Sequence, residues 1–235
     1  MPKYFFTPQD KQGDKIFLQG EVAHHLLHVL RHQPGDKIIL CDGRNTDYIT
    51  SILQINKKPT ITCSIEETHP CQTEPTVQIT LFQGLPKGDK LELIIQKCVE
   101  LGVTEIIPVL TSRSIAKINK KTERYQRIAE SAAGQSMRGI IPKVHPAVTF
   151  AEAIKQIDGL TIVAYENEKT QTLKHAITPA SKISIWIGPE GGFSQEEVNT
   201  LMKQGATPVT LGERILRTET AAIATVAQII LLTNP

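Results

Sequence analysis

Two stretches in the last fifty residues hold the side chains that chemistry needs. The first is GPEGGFSQEE (188–197), set between the apolar run KISIWI and a pattern that reads as a helix. Ser194 is placed to cap that helix and Glu197 to return the contact, a capping box. Gly191 and Gly192 permit positive φ or the close approach of a ligand to the backbone. Such a turn either joins strand to helix tightly or holds a ligand. Its spacing is neither G-x-G-x-x-G nor G-x-x-x-x-G-K-[ST], and Glu196 and Glu197 at the helix start would repel a pyrophosphate. A ligand without phosphates is expected.

The second stretch is LGERILRTETAAIA (211–224), in which Glu213, Arg214, Arg217 and Glu219 stand among apolar residues just before an Ala- and Ile-rich helix. Helix propensity requires none of these charges there. Arg217 and Glu219 could form an ion pair at a helix start, with Thr218 or Thr220 as a cap. They could equally face a ligand.

These loops need elements to hold them. From residue 77 onward, apolar runs alternate with helical patterns. VQITLFQG, EIIPVL, TIVAYE, KISIWIGP and TPVTLGE read as strands, and helices are expected over about 87–101, 120–137, 149–157, 195–203 and 217–232. Continuously apolar strands indicate a mostly parallel sheet covered on both faces, the α/β class. In such sheets ligands bind at the carboxyl ends of strands, which is where TIVAYE, KISIWIGP and TPVTLGE run into unusual loops. Residues 1 to about 72 differ. IFLQ, KIILCDG, DYITSILQI and PTITCSIEE are short strands between turn signals, as in a small barrel. One helix interrupts them, EVAHHLLHVLRH, whose Ala23, Leu26, Leu27 and Leu30 form one apolar stripe. ETHPCQTEPT (67–76) suits a linker.

The 235 residues allow one large or two smaller domains. With 40% hydrophobic and 21% charged residues, disorder is a poor reading. MPKYFFTPQD lacks the features of a signal peptide, and AAIATVAQIILL is too short to span a bilayer, so a cytoplasmic protein without membrane association is expected. Cys41, Cys63, Cys71 and Cys98 include no C-x-x-C pair, which gives neither a zinc site nor a disulfide framework. Between Thr111 and Lys143 stand eight basic residues against two acidic ones, a surface suited to phosphates or merely a solvated helix face.

GPEGGFSQEEV and LGERILRTETAA together resemble the signature of the RsmE family, SPOUT-class knotted methyltransferases that methylate uridine N3 in 16S ribosomal RNA of the small subunit. HHLLHVLR (24–31), KGDKLELIIQKCVELGV (87–103), RSIAK (113–117) and AAGQSMR (132–138) extend the resemblance, in order, over nearly the whole chain. It implies a PUA-like β-barrel over residues 1–72, an RNA-binding unit, and a SPOUT α/β domain over 73–235 with a C-terminal trefoil knot. It also implies S-adenosylmethionine as donor, and a homodimer acting on 16S ribosomal RNA in the assembled subunit. No metal is implied. Where many relatives carry a histidine and a basic residue after the TIVAYE strand, this chain has Tyr165-Glu166-Asn167.

By that similarity Gly188, Gly192, Leu211, Gly212, Ile215 and Leu216 would line the donor pocket, since an adenine ring needs apolar walls and backbone groups for its polar edge. Uridine N3 carries a proton at neutral pH, so the site needs a base or a cation that stabilises the uridinate. Arg217 is expected to hold the charge developing on uracil O2 or O4. Glu190 and Glu219 are the candidate bases, with Glu190 alternatively bracing its own loop. His24, His28 and Arg31, opposite the leucine stripe, are expected to touch RNA together with Arg113, Gln135 and Arg138. A metal site at His24, His28 and His32 lacks further ligands nearby in sequence. Rival readings are a SPOUT enzyme acting on a 2′-hydroxyl or on transfer RNA, and an RNA-binding ribosome-assembly factor without catalysis.

Overall fold

The computed structural model describes residues 3–56, 60–115 and 121–233. The chain divides into two units, residues 1–74 with 133–141 and residues 75–132 with 142–235. The first unit is therefore discontinuous in sequence.

In the first unit the short strand-like runs pair into one six-stranded sheet. The strands are β1 (Lys3–Phe5), β2 (Lys11–Gln12), β3 (Lys15–Leu18), β4 (Lys37–Cys41), β5 (Thr46–Ile55) and β6 (Ile61–Pro70), in the order β1-β4-β5-β6-β3-β2. All neighbours run antiparallel except β1 and β4. Ile16, Leu18, Ile38, Leu40, Ile52 and Ile61 build its core with Ala23 and Leu26 of the intervening helix. That helix departs from expectation. It is α-helical over α1 (Gly20–His24) and then widens into a π turn over His25–Val29. The wider turn rotates the residues beyond it, so Leu30 leaves the buried stripe and is 41% exposed. Arg31, at φ 59°, ends the helix in the left-handed conformation usually given to glycine. The expected linker is also partly structured, because β6 runs through Pro70 and Cys71 is buried.

Residues 133–141 join this unit through Glu74. Its carboxylate accepts from the Arg138 guanidinium at 2.7 Å and from the backbone N–H of Gly139 at 2.8 Å. The Asn45 N–H donates to the Gly139 carbonyl at 2.9 Å. The carbonyl of Met137 accepts from Thr73 Oγ1 at 2.6 Å and from the buried Lys3 Nζ at 2.9 Å, and the same ammonium reaches Asp47 at 2.7 Å.

The second unit is the expected α/β layer. Its strands are β7 (Gln78–Gly84), β8 (Glu105–Leu110), β9 (Lys143–Val144), β10 (Val148–Thr149), β11 (Leu160–Ala164), β12 (Lys182–Ile187) and β13 (Thr207–Val209). The order is β10-β8-β7-β12-β11-β13 with β9 beside β8, and every pairing is parallel. The helices are α2 (Lys90–Glu100), α3 (Thr122–Gln135), α4 (Phe150–Ile154), α5 (Leu173–Ala176), α6 (Gln195–Lys203) and α7 (Thr218–Thr233), of which α3 ends in the first unit. Gly102, at φ +112°, stops the chain after α2. Trp186 stacks on Phe82 with centroids 4.4 Å apart, at the centre of a cluster with Phe193, Val198 and Leu201. Burying side chains of this size stabilises by about 1.5–3 kcal/mol each.

Candidate functional site

Because β12 pairs with β11, and β11 with β13, three neighbouring strands deliver their carboxyl ends side by side. The loops leaving them enclose one cavity of about 440 Å³, a size suited to a ligand as large as a nucleoside joined to an amino acid. Of the residues expected at a donor pocket, Gly188, Gly192, Leu211, Gly212, Ile215 and Leu216 all line it, as do Glu190 and Arg217. Leu211 and Leu216 are half-buried, whereas Ile215 is 80% exposed at the cavity.

At Gly188 and Gly192 a side chain does not fit without displacing a neighbour. A Cβ on Gly188 would lie 3.0 Å from the Gly192 backbone, and Gly192 has φ +66°. Across the floor, Gly84 admits Pro189, whose Cδ would be 2.5 Å from any Cβ there. The capping box forms, with Ser194 Oγ accepting from the Glu197 N–H at 3.2 Å and Glu197 Oε2 accepting from the Ser194 N–H at 2.9 Å. Buried Glu197 also accepts from the Ser112 N–H at 2.7 Å, tying the turn to the end of β8. Arg113 Nη1 donates to the Gly191 carbonyl at 2.9 Å, so this exposed arginine braces the glycine turn, and among the described residues its other N–H groups have no partner.

Glu190 is occupied. Its carboxylate accepts from Lys90 Nζ at 2.7 Å and from the Lys87 N–H at 3.1 Å. Partial burial works against its charge, but Lys90 and the backbone N–H groups outweigh it and hold the carboxyl below the usual glutamate range. That makes Glu190 a poor proton acceptor and a good loop brace. Glu219 lies outside the cavity lining, and its buried Oε2 has no hydrogen-bond partner among the described residues. Among the described residues Arg217 and Glu219 form no ion pair, and Arg217 is exposed at the cavity. Thr218 is the first residue of α7 and not its cap. Its hydroxyl donates to the Gly188 carbonyl at 2.6 Å and accepts from Gln83 Nε2 at 2.9 Å, fastening α7 to the glycine turn.

The unusual Tyr165-Glu166-Asn167 segment acquires positions. The Tyr165 hydroxyl donates to Gln195 Oε1 at 2.8 Å and accepts from Asn167 Nδ2 at 2.9 Å, joining the end of β11 to the start of α6. The Glu166 carboxylate lies against Gly192. Sequence spacing gave no sign of Lys90 or Lys169 at the cavity, since each comes from a separate loop or helix start, whereas Arg214 stands there with Arg217 from the charged stretch before α7.

The residues expected at RNA separate into two groups. His24, His28 and Arg31 are exposed on the first unit, the two imidazoles 4.5 Å apart, and Gln135 is exposed at the end of α3. Arg138 is a correction. It is only 2% exposed and bonded to Glu74, so its charge is spent inside the first unit and does not face RNA. The basic run also loses charge to Glu92, which binds Arg124 at 2.8 Å, and to Asp89, 3.6 Å from Lys121. Lys117 and Lys120 lie outside the described residues. Among the described residues no three His, Cys, Asp or Glu side chains gather as metal ligands, and no helix is long and apolar enough to cross a membrane.

Comparison with known proteins places this geometry. The family model of an RNA methyltransferase domain matches residues 72–230, and that of an RNA methyltransferase PUA domain matches 18–66. The chain is 33% identical to the ribosomal RNA small subunit methyltransferase E of Bacillus subtilis, over 95% of this chain and 93% of that one. It belongs to the ribosomal RNA small subunit methyltransferase E family. Another member, from Synechocystis, is 37% identical over 91% of this chain and 72% of its own. A solved member of the family from Neisseria gonorrhoeae, bound to S-adenosyl methionine, superposes with a TM-score of 0.91 at 32% identity, covering 99% of this chain and 98% of that one. A methyltransferase of Legionella pneumophila, solved with its bound cofactor SAM, gives 0.86 at 30% identity over 97% and 96%. The fold is thus α/β with a PUA-like N-terminal domain followed by the methyltransferase domain of the family.

Proposed function

We propose that this chain methylates N3 of a uridine in 16S ribosomal RNA, with S-adenosylmethionine as methyl donor. The observation that carries the reading is the meeting of three strand-end loops around one cavity, one of them a turn whose Gly188 and Gly192 leave no room for a Cβ and another turning through Gly212 at φ +106°. Membership of the family and the donor-bound relatives support it. The donor, when bound, supplies a methyl group on a sulfonium, already a good leaving group, so the protein's task is alignment and charge.

Within that reading Gly188, Gly192, Leu211, Gly212, Ile215 and Leu216 hold the donor. Glu190 fixes the loop through Lys90, and because Glu219 lies outside the cavity lining the proton of N3 passes to water. Arg217, open at the cavity, stabilises negative charge on the uracil oxygens as N3 loses its proton. The base must leave its stack to reach the cavity. His24, His28, Arg31, Gln135 and the free N–H groups of Arg113 grip the RNA. The proposal includes the finer architecture of the SPOUT class. The N-terminal sheet closes as a barrel, the loops before α7 are tied in a trefoil knot, and two copies form a homodimer in the cytoplasm acting on the assembled small subunit.

The test uses methyl-labelled S-adenosylmethionine and small ribosomal subunits from cells lacking this protein, followed by digestion of the RNA to nucleosides. Label in 3-methyluridine is the expected result. Label in a 2′-O-methyl nucleoside, or donor binding without any label, overturns it.

A further inference from the structure

We propose that Glu166 is the residue by which the pocket prefers the cationic sulfonium donor to the neutral thioether left after methyl transfer. The inference rests on the donor reading above and extends it to the choice between substrate and product.

Seven charged residues line the cavity, four basic (Lys90, Lys169, Arg214, Arg217) and three acidic (Glu166, Glu190, Glu213). Such a lining is not anionic as a whole, yet the donor carries a net positive charge that its product lacks. Selection therefore needs a carboxylate held at the ligand and not already paired. Glu190 fails this requirement, because Lys90 and the Lys87 N–H hold it. Glu213 is exposed on the loop after β13 and is not the carboxylate that lies against the Gly188–Gly192 turn. Glu166 meets it. Its Oε1 sits where a Cβ on Gly192 would come within 2.6 Å, so the carboxylate lies in contact with the turn that forms the cavity wall. Among the described residues that carboxylate has no hydrogen-bond or ion-pair partner.

The backbone around Glu166 is built to keep it there. Lys169 Nζ donates to the Glu166 carbonyl at 2.6 Å. The Glu168 carboxylate accepts three successive N–H groups, from Lys169 at 2.9 Å, Thr170 at 2.8 Å and Gln171 at 2.9 Å, and the Thr170 hydroxyl at 2.9 Å. Tyr165, on its other side, is anchored to Gln195. A side chain with no partner of its own thus stands on a loop in which its neighbours are all bonded. The lysine that could neutralise it is bonded to the backbone instead.

Calorimetry on the full chain tests this with S-adenosylmethionine and S-adenosylhomocysteine as the two probes. Glu166→Gln keeps size and shape and should weaken the donor roughly three- to ten-fold while moving the product less than about two-fold, the range for one partly exposed charge pair. Glu166→Asp keeps the charge and should retain a preference for the donor. In the unmutated chain that preference should shrink as salt is raised. Equal losses for both ligands in Glu166→Gln, or a preference that salt does not alter, overturn the inference. Failure of the unmutated chain to bind either probe would instead sink the donor reading itself.

Discussion

The hydroxyl of Thr218 donates to the carbonyl of Gly188 at 2.6 Å, across thirty residues of sequence, and takes a hydrogen bond from the buried Gln83 in return. This one side chain joins the first turn of α7 to the glycine turn after β12. Thr218→Val keeps the shape but leaves the carbonyl without its donor, at a cost of about 1–3 kcal/mol. Chemical denaturation should show that loss, and donor affinity should fall with it. A variant as stable and as tight-binding as the parent would show the contact to be dispensable.

Arg217 is exposed at the cavity and free of Glu219, so its removal should leave the fold alone. Arg217→Ala is expected to lower kcat by about 10²–10³, the usual effect of losing one charge-stabilising donor, with donor affinity nearly unchanged. Unaltered turnover would remove Arg217 from the chemistry.

Gly192→Val forces a branched side chain into φ +66° and into the Glu166 carboxylate. Donor affinity should drop at least ten-fold by calorimetry, with thermal stability reduced by about 1–3 kcal/mol of backbone strain. Full affinity in a folded variant would take this turn out of the pocket.

Arg138→Ala leaves the half-buried Glu74 carboxylate with only the Gly139 and Ile140 N–H groups, and losing the charged partner costs about 1.5–3 kcal/mol. Thermal unfolding should show a large destabilisation, and replacing both residues by apolar ones should recover part of it. If Arg138→Ala were as stable as the parent but bound RNA poorly, the arginine would belong to the interface after all.

Glu168 gives a pH signature. The N–H groups of Gln171 and Thr170, then the Thr170 hydroxyl, hold its carboxyl down at about 2 from an ordinary 4.5. A depressed carboxyl stabilises the folded loop fully above 4.5 and progressively less as pH falls towards 2. The amide resonances of Lys169, Thr170 and Gln171 should therefore titrate together near 2, and Glu168→Gln should abolish the transition. A midpoint near 4.5 would mean that these hydrogen bonds are absent in solution.

What could be read in the sequence was mostly local. The helix Gln195–Lys203 and its Ser194–Glu197 capping box depend on residues three or four apart, and so does the stop at Gly102. The two loops were legible as ligand loops because glycines and interrupted charges have few reasons to stand at strand ends, while the individual pocket residues followed from the family resemblance. Arg138 was not, since its partner Glu74 lies sixty-four residues away in a stretch that reads as linker. Leu30 fell off its stripe because a π turn changes the period on which the stripe was drawn. Thr218 looked like a cap, and only the parallel pairing of β12 with β7 brings Gly188 and Gln83 to it.

The order of the strands also sets when the pocket can exist. β12 needs β7 and β11 beside it, and the cavity takes residues from Lys90 through Ala221. During synthesis, a nascent chain can pair β7 with β8 long before the loop at 211–217 leaves the exit tunnel, whereas the cluster around Trp186 waits for residues as late as Ala206. Until that loop and Thr218 arrive, the glycine turn has no opposite wall. Methyl-donor binding is therefore the last property this chain acquires as it is made, and an incompletely synthesised copy could touch RNA without being able to modify it.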